Sequence, residues 1–517
     1  MAEKSSKKQM SINIIASLVS FSVTMGLNFF LTPYLVDTLG TDAYGFIGLA
    51  NNFVQYATII TAALNSMSGR FISVAYHKGQ KEKASRLFSS VLVADLLLAG
   101  VMLVATALIT VYIDVLMKVP QELVTSVKLT FSITFLTYVL SVITAIFTTA
   151  TYVKNRVDIN SVRDIISHLI KAGLIVGLFA FLPAQLYYVA LATLGSGIFL
   201  LVANITVKKK ILPDVKIDIK KFEFALVKTL IAAGVWMSLA QLSNTLLSGL
   251  DLLICNLTIG ATMMGLMSIA KTVPNCITIL ISTIANVFAP HYTILYAKND
   301  IDGLVTEVKF TSKILSFILT VPLAGFIVFG TDFYTLWQPT KSAEEIRIIQ
   351  IISVLACVMY LFTAHTQALT MLNSVCNKMK LPVLVALGVG VTSTVSVLII
   401  VNVFDFSDEI NAYIIAGMSS LLMSLRAIIF IPIYSAYLLK QKKTTFYPTI
   451  LRGWLTFAVV AVMFAVIHHF VDINSWLVFL AVCVVIGVLG YILSIPLLFN
   501  KAELKKFKAT ILSKIKH

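Results

Sequence analysis

The sequence predicts an all-α, polytopic membrane protein with 14 transmembrane helices, and three observations carry that prediction. The first is composition. Of 517 residues, 58% are hydrophobic and 12% charged, where a soluble globular protein has about 45–50% and about 25%. Too little polar surface remains to cover a water-soluble fold of this size, which excludes a soluble enzyme, a disordered chain and a disulfide scaffold. The second is the spacing of apolar runs, each long enough for the roughly 20 residues that cross a bilayer. The third is the alternation of basic and non-basic loops between those runs.

The runs fall at about 11–36, 46–69, 87–113, 127–152, 161–182, 185–206, 226–251, 261–289, 309–337, 347–373, 380–403, 410–438, 450–470 and 474–499. Lys4, Lys7 and Lys8 precede the first run, as in a signal peptide. Its apolar stretch is too long, and no small-residue cleavage site follows promptly, so a retained span is expected. The loops are short, and no soluble domain is inserted between spans.

The net charge is +16. In a soluble protein that would point to nucleic acid; here the position of the charge decides, and no nucleic-acid partner is expected. With the N-terminus in the cytoplasm, 33 Lys and Arg fall on the cytoplasmic side. Opposite them stand only Lys118, Lys128, Lys341 and Arg347. This bias sets the orientation. It also requires an even number of spans, so that the basic tail from Lys501 to Lys516 returns to the cytoplasm. Cys255, Cys276, Cys357, Cys376 and Cys483 lie in or beside apolar runs without a paired spacing. They read as packing residues, and no metal site is suggested.

An internal repeat is legible at an offset of 220 residues. GTDAYGFIGLANNF (40–53) lies over GATMMGLMSIAKTV (260–273), matching Gly40 with Gly260, Gly45 with Gly265 and Ala50 with Ala270. A later echo, Val153–Asn155 over Val375–Asn377, is shifted by two. The offset spans six helices, so both halves share one orientation and form a parallel repeat. The expected domains are a six-helix lobe at 1–210, a second at 211–440, and two further helices with the basic tail at 441–517.

Polar residues recur every three or four positions within several spans, on one helical face. The first span has Ser17, Ser20, Thr24 and Asn28; the second has Asn51, Gln55, Thr58 and Asn65. The seventh has Gln241, Asn244, Ser248 and Asp251; the eighth has Ser268, Lys271, Asn275, Thr278, Ser282 and Asn286. At the repeat offset Thr24 lies over Asn244, Asn28 over Ser248, Asn51 over Lys271 and Gln55 over Asn275. Helix–helix hydrogen bonding explains single Ser or Thr residues. Matched stripes in both halves point to a shared water-lined cavity.

Three cations lie inside spans: Lys171, Lys271 and Arg426. Lys171 and Arg426 can snorkel. Lys271 sits about 15 Å from its helix end at 1.5 Å per residue, and its insertion penalty of roughly 3 kcal/mol needs an offset. An ion pair with Asp251 is one answer, a bound anion another. Lys and Arg suit phosphate; Gln55, Asn244 and Asn275, which both donate and accept, suit sugar hydroxyls. An anion plus a sugar in a bilayer implies a lipid-linked saccharide. Asp251, Asp95 and His365 are candidates for coupling to Na+ or H+, although interior packing accounts for Asp95 and His365 as well. Pro33, Pro274 and Pro322 are placed to kink helices. No catalytic motif or ATP-binding motif is present, and no cofactor is expected.

LTPYLVDTLGTDAYGFIGLANNFVQY (31–56), together with the fourteen-span, six-plus-six pattern, resembles the polysaccharide repeat-unit flippases. These are the O-antigen type, Wzx-like proteins of the multidrug/oligosaccharidyl-lipid/polysaccharide exporter superfamily. The resemblance implies two lobes in a V, as in MATE transporters, with a central cationic cavity and alternating access. It implies a substrate of undecaprenyl-diphosphate-linked oligosaccharide, moved to the outer leaflet of a bacterial inner membrane. It also implies membrane lipids and polysaccharide polymerase machinery as partners, and a chain acting as a monomer. In the similar lipid II flippases, arginines on the first helix help hold the diphosphate. Here that helix offers only Thr24 and Asn28, which shifts the anion load to Lys271, Lys171 and Arg426. The last two spans would form the groove for the lipid tail. Two alternatives stay open: a multidrug/cation antiporter of the same fold, which would line its lobes with acids, and a membrane glycosyltransferase or polymerase.

Overall fold

The computed structural model describes residues 2–286, 288–500 and 503. Apart from Glu503, the basic tail from Lys501 to Lys516 lies outside the described residues, as do the side chains of Lys4, Lys7, Lys8 and Asn286. Among the described residues, 14 helices are long and apolar enough to cross a membrane, and no strand forms. They are α1 (Ile15–Leu39), α2 (Thr41–His77), α3 (Lys81–Val111), α4 (Gln121–Val153), α5 (Val157–Phe181), α6 (Tyr187–Ile211) and α7 (Phe224–Gly249). Then follow α8 (Ala261–Ser282), α9 (Ile301–Trp337), α10 (Ala343–Val375), α11 (Lys380–Val403), α12 (Asp408–Leu438), α13 (Tyr447–His468) and α14 (Trp476–Leu498). The chain is a multi-pass membrane protein, and each apolar run of the sequence is one of these helices.

The basic loops close by a recurring device. Gly79, Asn155, Asn299, Asn377 and Lys440 all have positive φ. The residue after each donates its N–H five residues back: Gln80 to Ala75, Arg156 to Thr151, Asp300 to Leu295, Lys378 to Asn373 and Gln441 to Ala436, at 2.8–3.1 Å. This closure caps helix carbonyls and needs a left-handed residue, which glycine and asparagine supply most cheaply. Gly79 and Asn299 are 220 positions apart, and Asn155 and Asn377 are 222 apart. The offsets read from the sequence thus recur in backbone geometry.

The chain forms two compact units. The first comprises Met1–Ile269 with Val383–Ala412. Within it α2 is central, with α3, α4 and α7 packed on it around Leu64, Ile72, Phe88, Val91, Ile146 and Leu230. The α2–α7 crossing is so close that a Cβ on Gly234 would stand 1.9 Å from the Ala63 carbonyl oxygen. α1, α5 and α6 pack alongside one another. The linker between α6 and α7 is zipped to the start of α3. Backbone N–H groups of Lys216, Asp218 and Glu223 donate to Ser85, Ser89 and Ser90 Oγ at 2.9–3.0 Å. Lys81–Asp214 (2.9 Å) and Arg86–Glu223 (2.8 Å) pair alongside, and Leu212 and Val215 are buried beneath.

Also within this unit, α2 meets the first turns of α8 at equivalent positions of the repeat. A Cβ on Gly45 would lie 2.9 Å from Gly265 Cα, and one on Gly48 would lie 2.3 Å from Ser268 Oγ. Residues matched by the 220 offset thus touch each other within this unit. Small residues there let the two backbones meet.

The second unit comprises Ala270–Pro382 with Tyr413–His517. α13 and α14 pack on α9, which also packs on α10. Pro33 and Pro322 lie within continuous helices; Pro274 does not.

Candidate functional site

In the first unit, α2 and α7 carry a polar face. Asn51, Gln55, Asn244 and Ser248 are exposed, Gln241 is half-buried, and Gln241 Nε2 donates to Gln55 Oε1 at 3.5 Å. At 1.5 Å per residue Asn51 and Gln55 lie about 15 and 21 Å from the start of α2, well inside the span. Exposed amides at that depth are costly against hydrocarbon and belong against water or a polar ligand. The α7 backbone beside them is irregular. Thr245–Gly249 forms a π-turn, which leaves backbone carbonyls in need of partners and often marks a functional site. The Gly249 carbonyl accepts from Asn52 Nδ2 (3.0 Å) and the Tyr56 hydroxyl (2.6 Å), and the Leu246 carbonyl from Thr394 Oγ1 of α11 (2.9 Å). Asn52 and Tyr56 escaped the sequence reading because they lie beside the stripe, not in it.

The second feature is the break in α8. Helix runs over Ala261–Ala270, stops at Lys271, and resumes over Thr272–Asn286. The cause is Pro274, which has no N–H to give the Ala270 carbonyl four residues earlier. In the second unit that carbonyl is recaptured by Ser353 Oγ of α10 at 2.7 Å and by the Tyr334 hydroxyl of α9 at 3.4 Å, the two hydroxyls themselves 2.7 Å apart. All three residues are buried. A discontinuous membrane helix with a cation at the break is a recurrent way to build a polar site at depth. Lys271, half-buried, occupies that position, with Asn275 exposed one turn on. Tyr334 and Ser353 carry no sequence signal beyond their class; Pro274 was the legible part.

The remaining candidates are placed as follows. Lys171 is half-buried on α5, on one face with Asp164 and His168, and makes no hydrogen bond or ion pair among the described residues. Arg426 opens a second π-turn, Arg426–Phe430, in α12, with its buried Nε lacking a partner. Thr24 is half-buried and donates to the Ser20 carbonyl at 2.8 Å, while Asn28 is exposed. Asp251 is buried at the start of a short helix, Asp251–Thr258, that follows α7. His365 is buried against Ser316 Oγ and so close to Gly453 that a Cβ there would strike the imidazole. Asp95 is buried in α3. Among the described residues no group of three or more His, Cys, Asp or Glu side chains gathers to hold a metal.

The second unit also holds an apolar cavity of about 240 Å³ between α9, α13 and α14. Its walls include Phe326, Phe329, Phe333, Phe464 and Phe479, with Gly325 leaving room between the rings.

This architecture matches solved structures closely enough to define the fold. The lipid II flippase MurJ, in an inward closed conformation, superposes with a TM-score of 0.66 at 15% identity, covering 93% of this chain and 97% of that one. An inward-facing multidrug resistance MATE family transporter of the MOP superfamily gives 0.64 at 15% identity, covering 84% and 98%. A MOP superfamily transporter from Pyrococcus furiosus gives 0.60 at 15%, covering 83% and 96%. The fold is therefore that of the MOP superfamily transporters. The model of the polysaccharide biosynthesis protein family matches residues 11–293, more than half of the chain, and the chain belongs to that family. The uncharacterized membrane protein EpsK of Bacillus subtilis is 29% identical over 505 residues, 97% of this chain and 98% of its own length.

Proposed function

We propose that the protein is a flippase that carries an undecaprenyl-diphosphate-linked oligosaccharide repeat unit from the cytoplasmic to the outer leaflet of the bacterial inner membrane. Both termini lie in the cytoplasm, and the chain works by alternating access. The observation that carries this reading is the exposed row of amides on α2 and α7 at mid-depth, held by a hydrogen-bonded backbone irregularity. Donor–acceptor side chains in that number suit sugar hydroxyls. Lys271 at the break in α8 supplies the positive charge that a diphosphate requires, with Lys171 and Arg426 as further cations along its route. The phenylalanine-lined cavity between α9, α13 and α14 supports a seat for the prenyl tail. Family membership supports a role in building a cell-surface polysaccharide.

Deleting the gene should trap a lipid-linked glycan on the cytoplasmic leaflet, and identifying that lipid gives the substrate. Lys271→Ala should reproduce the trap while the protein stays in the membrane at normal level, and Lys271→Arg should be milder. Normal surface glycan with Lys271→Ala would remove the lysine from the anion role. A deletion strain that traps no lipid-linked glycan would remove the function itself.

A further inference from the structure

Asp95 lies about 21 Å into α3 at 1.5 Å per residue, and its relative exposure is 0%. Neither carboxylate oxygen has a hydrogen-bond partner among the described residues, and neither does Oδ1 of Asn65 on α2. The Asn65 amide is the polar group that faces Asp95. The Tyr138 hydroxyl of α4 is within electrostatic reach and is itself tied to Thr61 Oγ1 of α2 at 3.0 Å. Tyr138 itself belongs to an apolar cluster with Ala57, Ala99, Met102, Val139 and Val142. From α2 come only the non-titrating Thr61 and Asn65. From α4 comes one titratable group, Tyr138. α7, also packed on α3, brings no charge to the carboxyl.

The carboxyl is thus sealed from solvent with the Asn65 amide as its polar neighbour and no cation against it. An ionised carboxylate in such a place costs far more than a fold can supply unless it is neutralised. No Lys, Arg or His stands against it. A divalent ion would want at least six oxygens, and Asp95 brings two, with the Tyr138 and Thr61 hydroxyls engaged with each other. One proton resolves the arrangement: it removes the charge and gives the carboxyl an O–H to share with the Asn65 amide, whose Oδ1 has no other partner among the described residues.

We propose that Asp95 is a proton-binding site in the core of the first unit. It is loaded as the neutral acid in the arrangement described here, with Asn65 accepting its O–H, and it releases that proton when α2, α3 and α4 separate enough to admit water. The site stands independently of the transported substrate, so its test requires none.

The test is infrared difference spectroscopy of the full-length protein in lipid nanodiscs, between neutral and strongly alkaline pH. The wild type should show at neutral pH the C=O stretch of a buried protonated carboxyl that shifts in D2O. Asp95→Asn, a near-isostere of the neutral acid, should fold normally and lose that band completely. Asn65→Leu should keep the band but move it to higher frequency, because the acid loses its acceptor. An Asp95→Asn spectrum that matches the wild type overturns the proposal, as does an unmoved band in Asn65→Leu. A wild type with no such band, whose melting temperature rises with Na+ while that of Asp95→Asn does not, makes the site a sodium site and also overturns it.

Discussion

The second helix and the stretch that repeats it were handed nearly the same design and solved it differently. α2 runs unbroken from Thr41 to His77. Adding 220 gives Ala261 to Ala297, and that stretch is divided into Ala261–Ala270, Thr272–Asn286 and Ala289–Ala297. The interruptions follow proline. Pro274 stands where α2 has Val54, and Pro290 where it has Arg70. The Ala270 carbonyl freed by Pro274 finds Ser353 and Tyr334, whereas its counterpart Ala50 lies inside continuous helix. The equivalent side chains diverge too: α2 presents an exposed amide, Asn51, where the broken helix presents Lys271. One half of the repeat thus carries an unbroken helix with an exposed amide, and the other a helix interrupted at a lysine.

The comparison can be broken at its pivot first. Gly265→Val places a Cβ 2.3 Å from the Thr41 carbonyl, a backbone clash that no side-chain shift relieves. Loss of folded protein from the membrane is expected, read as the monodisperse fraction after extraction. Gly26→Ala, with open space around its Cβ position, should leave that fraction unchanged.

Next in size is the difference in charge. Lys271→Ala should abolish export of surface glycan, while Asn51→Ala at the matching position should reduce it only several-fold. Equal effects would remove the division of labour between the two helices.

The joint itself is tested by making the broken helix more like its partner. Pro274→Val, copying Val54, restores an N–H for the Ala270 carbonyl and should slow transport while raising thermal stability. Ser353→Ala in the wild type should cost about 1–3 kcal/mol, the penalty of a buried polar group left short of a partner. In the Pro274→Val background it should cost well under half of that. A double-mutant cycle on melting temperature reads the coupling, and additive effects would mean that Ser353 does not serve the break.

The smallest effect concerns the strap between the repeats. The Lys81 ammonium, hydrogen-bonded to Asp214, holds that carboxyl below its ordinary range. A carboxylate with a lowered folded pKa adds stability above its ordinary value of about 3.9 and loses it as pH falls through the lowered one. Asp214→Asn should therefore flatten slightly the acid limb of a stability profile and leave neutral pH almost untouched, because both groups are largely exposed and screened.

Much of this was legible beforehand, and the reasons are specific. Span positions follow from hydropathy because a bilayer tolerates only helices whose backbone is self-satisfied. The repeat was visible because the same caps and close contacts demand the same small residues: Gly45 and Gly265 match because they touch. The polar stripes were legible because they keep helical period. Asn52, Tyr56, Ser353 and Tyr334 were not, since each acts by reaching a carbonyl on another helix, and nothing in local sequence says which carbonyl will be free. Asp95 was visible as an oddity, but whether it had a partner depended on α2 and α4.

Composition and hydropathy were enough for the all-helical class and the number of spans, because those depend on the solvent around each residue. It took packing to show that α7 and the first turns of α8 lie on α2, that Pro274 breaks its helix while Pro33 and Pro322 do not, and that Asp95 is sealed without a counter-charge. Inside a membrane all apolar faces are nearly equivalent to lipid. Choice among them therefore falls to close packing and to stray hydrogen bonds, which are properties of pairs of helices and not of any one of them.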